Sequence, residues 1–446
     1  MIGLHITTLG CKLNQFDSAE LAGSLRGAVA LQEDPAGARL VVVNTCTVTS
    51  AADSDARQIL RRRRRESPEA LIVATGCYAE REPSALMAMP EVDLVLRRED
   101  RPEAARLVLE ALRARFPGEM ADGCAERLVG DDLPDFGERT RAFLRVQEGC
   151  DLRCSYCIIP QVRGVSRSVA PDLVEGRFQK LIQAGFMEVV LTGVNTGDYG
   201  KDLDPSLRLT DLLARLARLP GEFRIRLNSI EPLCVTPELV DLIASEPRLA
   251  RHLQIPIQSG SDRVLGGMRR NYRTRQYAGV VETLRSRVPD IGLGADVIVG
   301  FPGETAADFE ATVDFISGSP LNYLHVFSYS SRPGTAAAAR PGHVPPETIK
   351  ERSQVLRRLG ADIASAFRRS QVGRPLRALV LHHDGIKAVS RALTSNFIDV
   401  ALRGRHRENS FVDAVITDVD DSGQTIGQVT GEAQLSAVCE QRSTMR

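Results

Sequence analysis

Residues 142–160 read AFLRVQEGCDLRCSYCIIP. The opening AFLRVQ is a short apolar, β-forming run, and the loop after it carries Cys150, Cys154 and Cys157. A strand that ends in a loop bearing reactive side chains is the arrangement of a parallel βα series, which places its chemistry beyond the C-terminal ends of its strands. The downstream sequence repeats the pattern. MEVVLTG (187–193), FRIRLN (223–228), HLQIPIQ (252–258), GLGADVIVG (292–300) and YLHVFSYS (323–330) are further candidate strands. Helical patterns such as LVEGRFQKLIQAG (173–185) and LTDLLARLARL (209–219) lie between them. Six βα units in roughly 200 residues predict a partial (β/α)6 barrel rather than a full eight-fold one.

Upstream, IGLHITT (2–8), ARLVVVNT (38–45), EALIVAT (69–75) and VDLVL (92–96) alternate with helical stretches at 15–27, 51–65 and 79–88. Short apolar strands separated by helices predict an open parallel sheet covered on both faces. Residues 117–140, rich in Gly, Pro and charge, read as a linker. Downstream, 345–370 reads as one long basic helix. RPLRALVLHH, IKAVSRAL, NFIDVAL, SFVDAVITDV and TIGQVTGE follow, with turns at 384–385 and 421–423, and predict a small antiparallel β-barrel. The expected fold class is therefore α/β with three domains: 1–120, 136–370 and 372–441.

The chain has 446 residues, 43% hydrophobic and 26% charged, which excludes a disordered or fibrous protein. No run reaches the roughly 18 apolar residues of a membrane span, and MIGLHITTLGCKLN is no signal peptide, so a cytoplasmic location is expected. Lys plus Arg and Asp plus Glu both number 57, so any case for nucleic acid rests on local patches. Aromatics at 5% and the absence of Trp argue against an extensive base-stacking surface. Nine cysteines, an odd number in a reducing compartment, argue against a disulfide framework and leave metal binding, catalysis or burial.

Cys150-x-x-x-Cys154-x-x-Cys157 is the strongest signal. Three neighbouring thiolates can hold three irons of a 4Fe-4S cluster, which usually has four cysteine ligands, and leave one iron open. A zinc knuckle would want a further ligand nearby, and no other Cys or His lies between 125 and 233; incidental cysteines are the remaining alternative. Cys11, Cys46 and Cys77 form a second constellation. Each stands just past an apolar strand, in HITTLG-Cys11, VVVNT-Cys46 and IVATG-Cys77. Strand tips of an open parallel sheet share one edge, so the three should converge and could hold a second open cluster. The alternative is three small buried residues capping strands.

The first spacing, with Tyr156 before its last cysteine, resembles the radical S-adenosylmethionine superfamily. That resemblance implies that the open iron chelates S-adenosylmethionine and that Cys150, Cys154 and Cys157 serve catalysis. LGCKLNQFDSAE (9–20), VVVNTCTVTSAAD (41–53), ATGCYAE (74–80) and the 150–157 motif together resemble the methylthiotransferase family. The family implies two 4Fe-4S clusters, S-adenosylmethionine, an external electron donor and sulfur source, and a C-terminal TRAM-type RNA-binding barrel. A monomer without membrane attachment is expected.

Lys-Leu-Asn-Gln after Cys11, with NTCTVT, most resembles the branch acting on N6-threonylcarbamoyladenosine in tRNA. The implied reaction is methylthiolation of C2 of that base at position 37, in the anticodon stem-loop. The isopentenyladenosine branch typically has Gln-Met-Asn at this place, and the ribosomal-protein branch Pro-Lys-Asn. A non-catalytic RNA-binding iron–sulfur sensor is the alternative of another class.

The same resemblance points to S-adenosylmethionine contacts at Gly193 and Asn195 in LTGVNTGDYG, Glu231 in SIEP, Gln258 in PIQSGSD, and Ile298 and Gly300 in VIVGFPGET. A simple βα turn, or a buried strand with a type II turn at Pro302-Gly303, explains parts of this equally well. Asn228 departs from the small hydroxyl residue expected there. Arg61–Arg65 is either a helix end complementing its dipole or a phosphate site. Arg269, Arg270, Arg273 and Arg275 form a second basic patch, and Arg403, Arg405, His406 and Arg407 a third in the C-terminal barrel. Cys124, Cys234 and Cys439 lack partners at metal spacing and read as structural or incidental.

Overall fold

The structure is a computed structural model and describes residues 1–119, 134–137, 139–420 and 422–432. Most of the expected linker, Cys124, Cys439, Asp421 of the turn at 421–423 and the last residues of the C-terminal domain lie outside these. The chain forms two compact units. The first comprises Met1–Glu138, Glu148–Ser166 and Ser330–Ala338; the second comprises Arg139–Gln147, Arg167–Tyr329 and Ala339–Arg446.

The first unit contains β1 (Ile2–Thr8), α1 (Lys12–Ser24), β2 (Val29–Leu31), β3 (Leu40–Thr45), α2 (Ser50–Glu66), β4 (Leu71–Gly76), α3 (Cys77–Arg81), α4 (Pro83–Met87), β5 (Leu94–Val95), α5 (Ala104–Arg115) and α6 (Ile159–Arg163). Its strands make a parallel sheet in the order β2-β1-β3-β4-β5. Alternation along β3 and β4 sorts the apolar side chains to two faces. Leu40, Val42, Leu71 and Val73 pack with Leu25, Val108, Leu109 and Leu112. Val41, Val43, Ile72 and Ala74 pack with Ala56, Leu60, Tyr78 and Leu86. Both faces are thus covered, which is why these strands read as continuous apolar runs.

The expected helix at 79–88 is instead two short ones. Pro83 has no N–H to donate and disfavours helical geometry at Glu82, whose ψ is 54°, so the chain restarts there. The sequence reading missed β2, a three-residue edge strand, and α5.

In the second unit, Arg141–Arg145, Glu188–Thr192 and Arg224–Leu227 pair in parallel, as do His252–Gln254, Gly292–Val299 and Tyr323–Ser328. Bridges Ile225↔Leu249 and Ser229↔Gln254 join the two sheets, so the six strands follow one another in chain order as a partial barrel. The helix Pro346–Ser370 leads into a closed five-stranded barrel: Pro375–Asp384, Val389–Thr394, Asp399–Arg403, Phe411–Val419 and Thr425–Glu432. It is not antiparallel throughout, because Asp399–Arg403 and Thr425–Glu432 run parallel. A closed ring with an odd number of strands cannot alternate direction all the way round, so one such pair is unavoidable.

Glu188 is fully buried in this unit and binds Arg226 at 2.9 and 3.0 Å and Arg224 at 2.5 Å. The same guanidinium groups donate to the carbonyls of Leu393, Thr394 and Ser395 in the closed barrel. Among the described residues, no helix is long and apolar enough to cross a membrane.

Candidate active site

The strand order 2-1-3-4-5 reverses direction between β1 and β3, and open sheets of this kind present their crevice at that point, beyond the carboxyl ends of the strands. Cys11 is the N-cap of α1 after β1, Cys46 follows β3 and Cys77 opens α3 after β4. Two left-handed glycines set these turns. Gly10 (φ +93°) lies so close to Cys46 that a Cβ there would sit 3.0 Å from its Sγ. Gly76 (φ +94°) has no room either: a Cβ would stand 2.3 Å from Asn44 Oδ1 and 2.4 Å from the Thr45 carbonyl.

The three thiols share one electrostatic environment. Burial pushes Cys77 up to about 11; Arg163 opposes the rise, and Cys11 and Cys46 add to it. Burial also raises Cys46, with Cys11 contributing. Among the described residues, no three ligating side chains close tightly enough to share one metal ion. Cys11, Cys46 and Cys77 stand just past the C-terminal ends of β1, β3 and β4 of one sheet.

Cys150, Cys154 and Cys157 occupy a second loop of the same unit. The Cys150 amide donates to the Gly164 carbonyl at 3.0 Å, and the Cys157 amide to the Cys154 carbonyl at 3.2 Å. Cys150 is buried, while Cys154 and Cys157 are half-exposed. The loop continues into α6, where Ile158 and Val162 pack on Cys77.

Sequence reasoning missed the group that organises this region. Arg163, 3% exposed, donates from Nε to Cys77 Sγ at 3.4 Å, from one terminal nitrogen to Asn14 at 2.6 Å and Asp17 at 3.0 Å, and from the other to Glu148 at 2.9 Å. Burial works against its charge, but Cys77, Asp17, Cys11 and Glu148 outweigh burial and hold it firmly cationic. No motif rule singles out an arginine six positions past the last cysteine.

In the second unit, the expected S-adenosylmethionine contacts all stand at or beyond the C-terminal ends of barrel strands. Gln147 Oε1 accepts from the amides of Val194 and Asn195 at 3.0 and 2.9 Å, and closes against Gly193. Asn195 donates to Asp198 at 2.5 Å, and its buried Oδ1 has no donor among the described residues. Burial raises the Glu231 carboxyl, although its ion pair with Arg270 pulls the other way; Asp198 and Asp296 also act on it. The Gln258 amide donates to Asp296 O at 2.8 Å, and the Ile298 amide to Gln258 O at 2.9 Å. The Gly300 amide donates to Glu304 at 2.8 Å. Gln258 and Ile298 are thus directly linked, and Asp198, which Asn195 binds, repels the Glu231 carboxylate.

The basic patches fare differently. Arg270 is buried on Glu231 and does not belong to a surface patch, whereas Arg269, Arg273 and Arg275 are exposed. In the Arg61–Arg65 run, Arg64 binds the carbonyls of Pro68, Ala70 and Glu91 and the carboxylate of Asp93, and Arg62 and Arg63 pair with Glu66. This is mainly a braced helix end; Arg61, Arg62 and Arg65 line a groove with Leu9. Cys234 sits half-buried against Gly197, and burial, with Asp198, pushes its thiol up to about 12.

Comparison with known proteins agrees with this architecture. The Radical SAM superfamily profile matches residues 144–316, and the profile described as uncharacterized protein family UPF0004 matches residues 3–97. The threonylcarbamoyladenosine tRNA methylthiotransferase MtaB of Bacillus subtilis (strain 168) is 38% identical over 81% of this chain and 80% of its own. The enzyme of that name from Aquifex aeolicus (strain VF5) is 37% identical over 92% and 98%. A tRNA-2-methylthio-N(6)-dimethylallyladenosine synthase of Mycobacterium sp. (strain MCS) is 34% identical over 92% and 80%. Among solved structures, the radical S-adenosylmethionine methyltransferase TsrM from Kitasatospora setae shares the fold, with TM-score 0.55 at 17% identity over 76% of this chain and 77% of that one. The chain belongs to the radical S-adenosylmethionine methylthiotransferases, in the branch of the MtaB relatives. It is an enzyme that uses S-adenosylmethionine and a 4Fe-4S cluster.

Proposed function

We propose that this enzyme methylthiolates C2 of N6-threonylcarbamoyladenosine at position 37 in the anticodon stem-loop of cytoplasmic tRNA, giving 2-methylthio-N6-threonylcarbamoyladenosine. The position of Cys11, Cys46 and Cys77, each just past a strand of one parallel sheet, supports the reading, because it offers a second thiolate triad beside the radical motif. The names and identities of the relatives support the substrate. Cys150, Cys154 and Cys157 would hold the first cluster, and Cys11, Cys46 and Cys77 a second one. When bound, the first supplies the electron that makes a 5′-deoxyadenosyl radical from S-adenosylmethionine, and the second carries sulfur.

The protein's part is placement and exclusion of water. Gly193, Asn195, Glu231, Gln258, Ile298 and Gly300 would line the S-adenosylmethionine site, with Asn195 Oδ1 awaiting a donor and Gln258 and Ile298 acting through their backbone. The domains would be 1–120, 136–370 and 372–441. The last is an RNA-binding module of the TRAM type that presents Arg403, Arg405 and Arg407 at its surface. An external electron donor and sulfur source complete the cycle, and the chain works as a monomer.

Mass analysis of tRNA nucleosides from cells lacking the gene tests this. The 2-methylthio-N6-threonylcarbamoyladenosine signal should vanish and the unmodified parent should accumulate. Loss of the isopentenyladenosine derivative instead, or an unchanged tRNA profile with an altered ribosomal protein, would overturn the assignment.

A further inference from the structure

Within the first unit, the guanidinium of Arg163 does more than neutralise its neighbours. Its four partners belong to three separate pieces of chain: Cys77 at the tip of β4, Asn14 and Asp17 on the helix that Cys11 caps, and Glu148 at the start of the Cys150–Cys157 loop. A planar fork that donates in several directions can hold such a set together, and the point charge of a lysine cannot. The contact to Cys77 has a chemical consequence as well. An N–H that donates to a ligating thiolate takes electron density off the sulfur and favours the more reduced, more negative state of whatever the thiolate binds.

We propose that Arg163 is a positioning residue that raises the reduction potential of the cluster held by Cys11, Cys46 and Cys77, through its N–H bond to the Cys77 sulfur, and fixes the geometry of that site from the loop of the other cysteine triad. This rests on the reading that the N-terminal triad binds a cluster. Asn14 is the relay. It bonds Arg163 through Oδ1 and, through Nδ2, donates to the carbonyls of Leu9 at 2.7 Å and Thr45 at 3.0 Å, the residues leading into Gly10-Cys11 and Cys46. One buried cation therefore reaches the backbone before two cysteines and the sulfur of the third.

The test uses the full chain carrying Cys150→Ala, Cys154→Ala and Cys157→Ala, so that only the N-terminal site reports. After anaerobic reconstitution it should hold about four irons. Potentiometric titration followed by electron paramagnetic resonance then gives the midpoint potential. Arg163→Gln should move it to more negative values, and Arg163→Lys by a smaller amount, with altered g-values in both. Arg163→Lys keeps the charge and guards against a variant that fails to fold. A midpoint unchanged in both variants overturns the proposal, as does iron loss in Arg163→Gln with an unmoved potential in Arg163→Lys, which would mark a purely structural role. If the background chain holds no iron at all, the reading of the N-terminal triad itself fails, and this inference falls with it.

Discussion

Arg332 donates to the carboxylate of Asp53 at 2.6 Å across 279 residues of sequence. Both belong to the first unit, where Ser330–Ala338 packs with residues of the cysteine loops. Asp53 also binds Arg81 at 3.0 Å and Thr47 at 2.5 Å, so it joins the residue after Cys46 to the helix that begins at Cys77. The same segment accepts at Gly334 from Gln161 and donates from Ala337 to the Ser155 carbonyl at 2.7 Å.

Asp53→Asn should leave the buried Arg332 and the half-buried Arg81 facing a neutral amide. Burial raises the Asp53 carboxyl despite these partners, so the expected loss is about 1–3 kcal/mol, the cost of leaving buried groups without a hydrogen-bond partner. Chemical denaturation of the apo-protein, followed through the unfolding of this unit, measures it; a loss below about 1 kcal/mol would show that the pair is dispensable.

Glu188 gives a pH prediction. Burial opposes its charge, but Arg224 and Arg226 prevail and hold the carboxyl well below the usual carboxylate range. A group depressed in the folded state contributes stability above its unfolded pKa of about 4.3, and that contribution is lost as pH falls through the folded value. Stability from this group should therefore be constant from pH 7 to about 5 and decline at more acid pH. Glu188→Gln should cost about 3–5 kcal/mol at pH 7 and flatten the acid decline, as read by denaturation at a series of pH values.

Gly76→Ala should damage the N-terminal site more than the fold. A left-handed residue with a Cβ against Asn44 and Thr45 costs about 1–3 kcal/mol, and relief of that clash moves Cys77. Iron per chain after reconstitution should drop by the share belonging to one cluster. Full iron content with an unchanged melting temperature would contradict the geometry.

The two cysteine triads should separate two activities. Cys154→Ala should abolish 5′-deoxyadenosine formation under anaerobic, reducing conditions. Cys46→Ala should retain that cleavage and lose methylthio insertion into tRNA. Equal loss of both products in both variants would break the division of labour proposed for the triads.

Much of the fold could be read locally. β3 and β4 announced themselves because a parallel strand buried on both faces must be apolar at nearly every position. The long helix Pro346–Ser370 was legible from its proline start and its long basic run, broken only by Gly360 among the strong helix breakers. Val29–Leu31 was not, because three residues at a sheet edge carry too little pattern. The parallel closure of the small barrel was missed although its five strands were counted, since pairing direction lies between segments and not within one.

The sequence by itself determined which side chains can bind iron, since ligand chemistry resides in the residue type and the Cys150–Cys157 spacing is local. It also determined that Cys11, Cys46 and Cys77 share one edge, because a repeated βα unit returns each strand tip to the same side. Only the tertiary structure decided what surrounds those sulfurs. Arg163 and Asn14 meet beside Cys77, and Asp53 and Arg332 beside Thr47, because close packing brings distant segments together and a buried charge must find its partners wherever the fold supplies them.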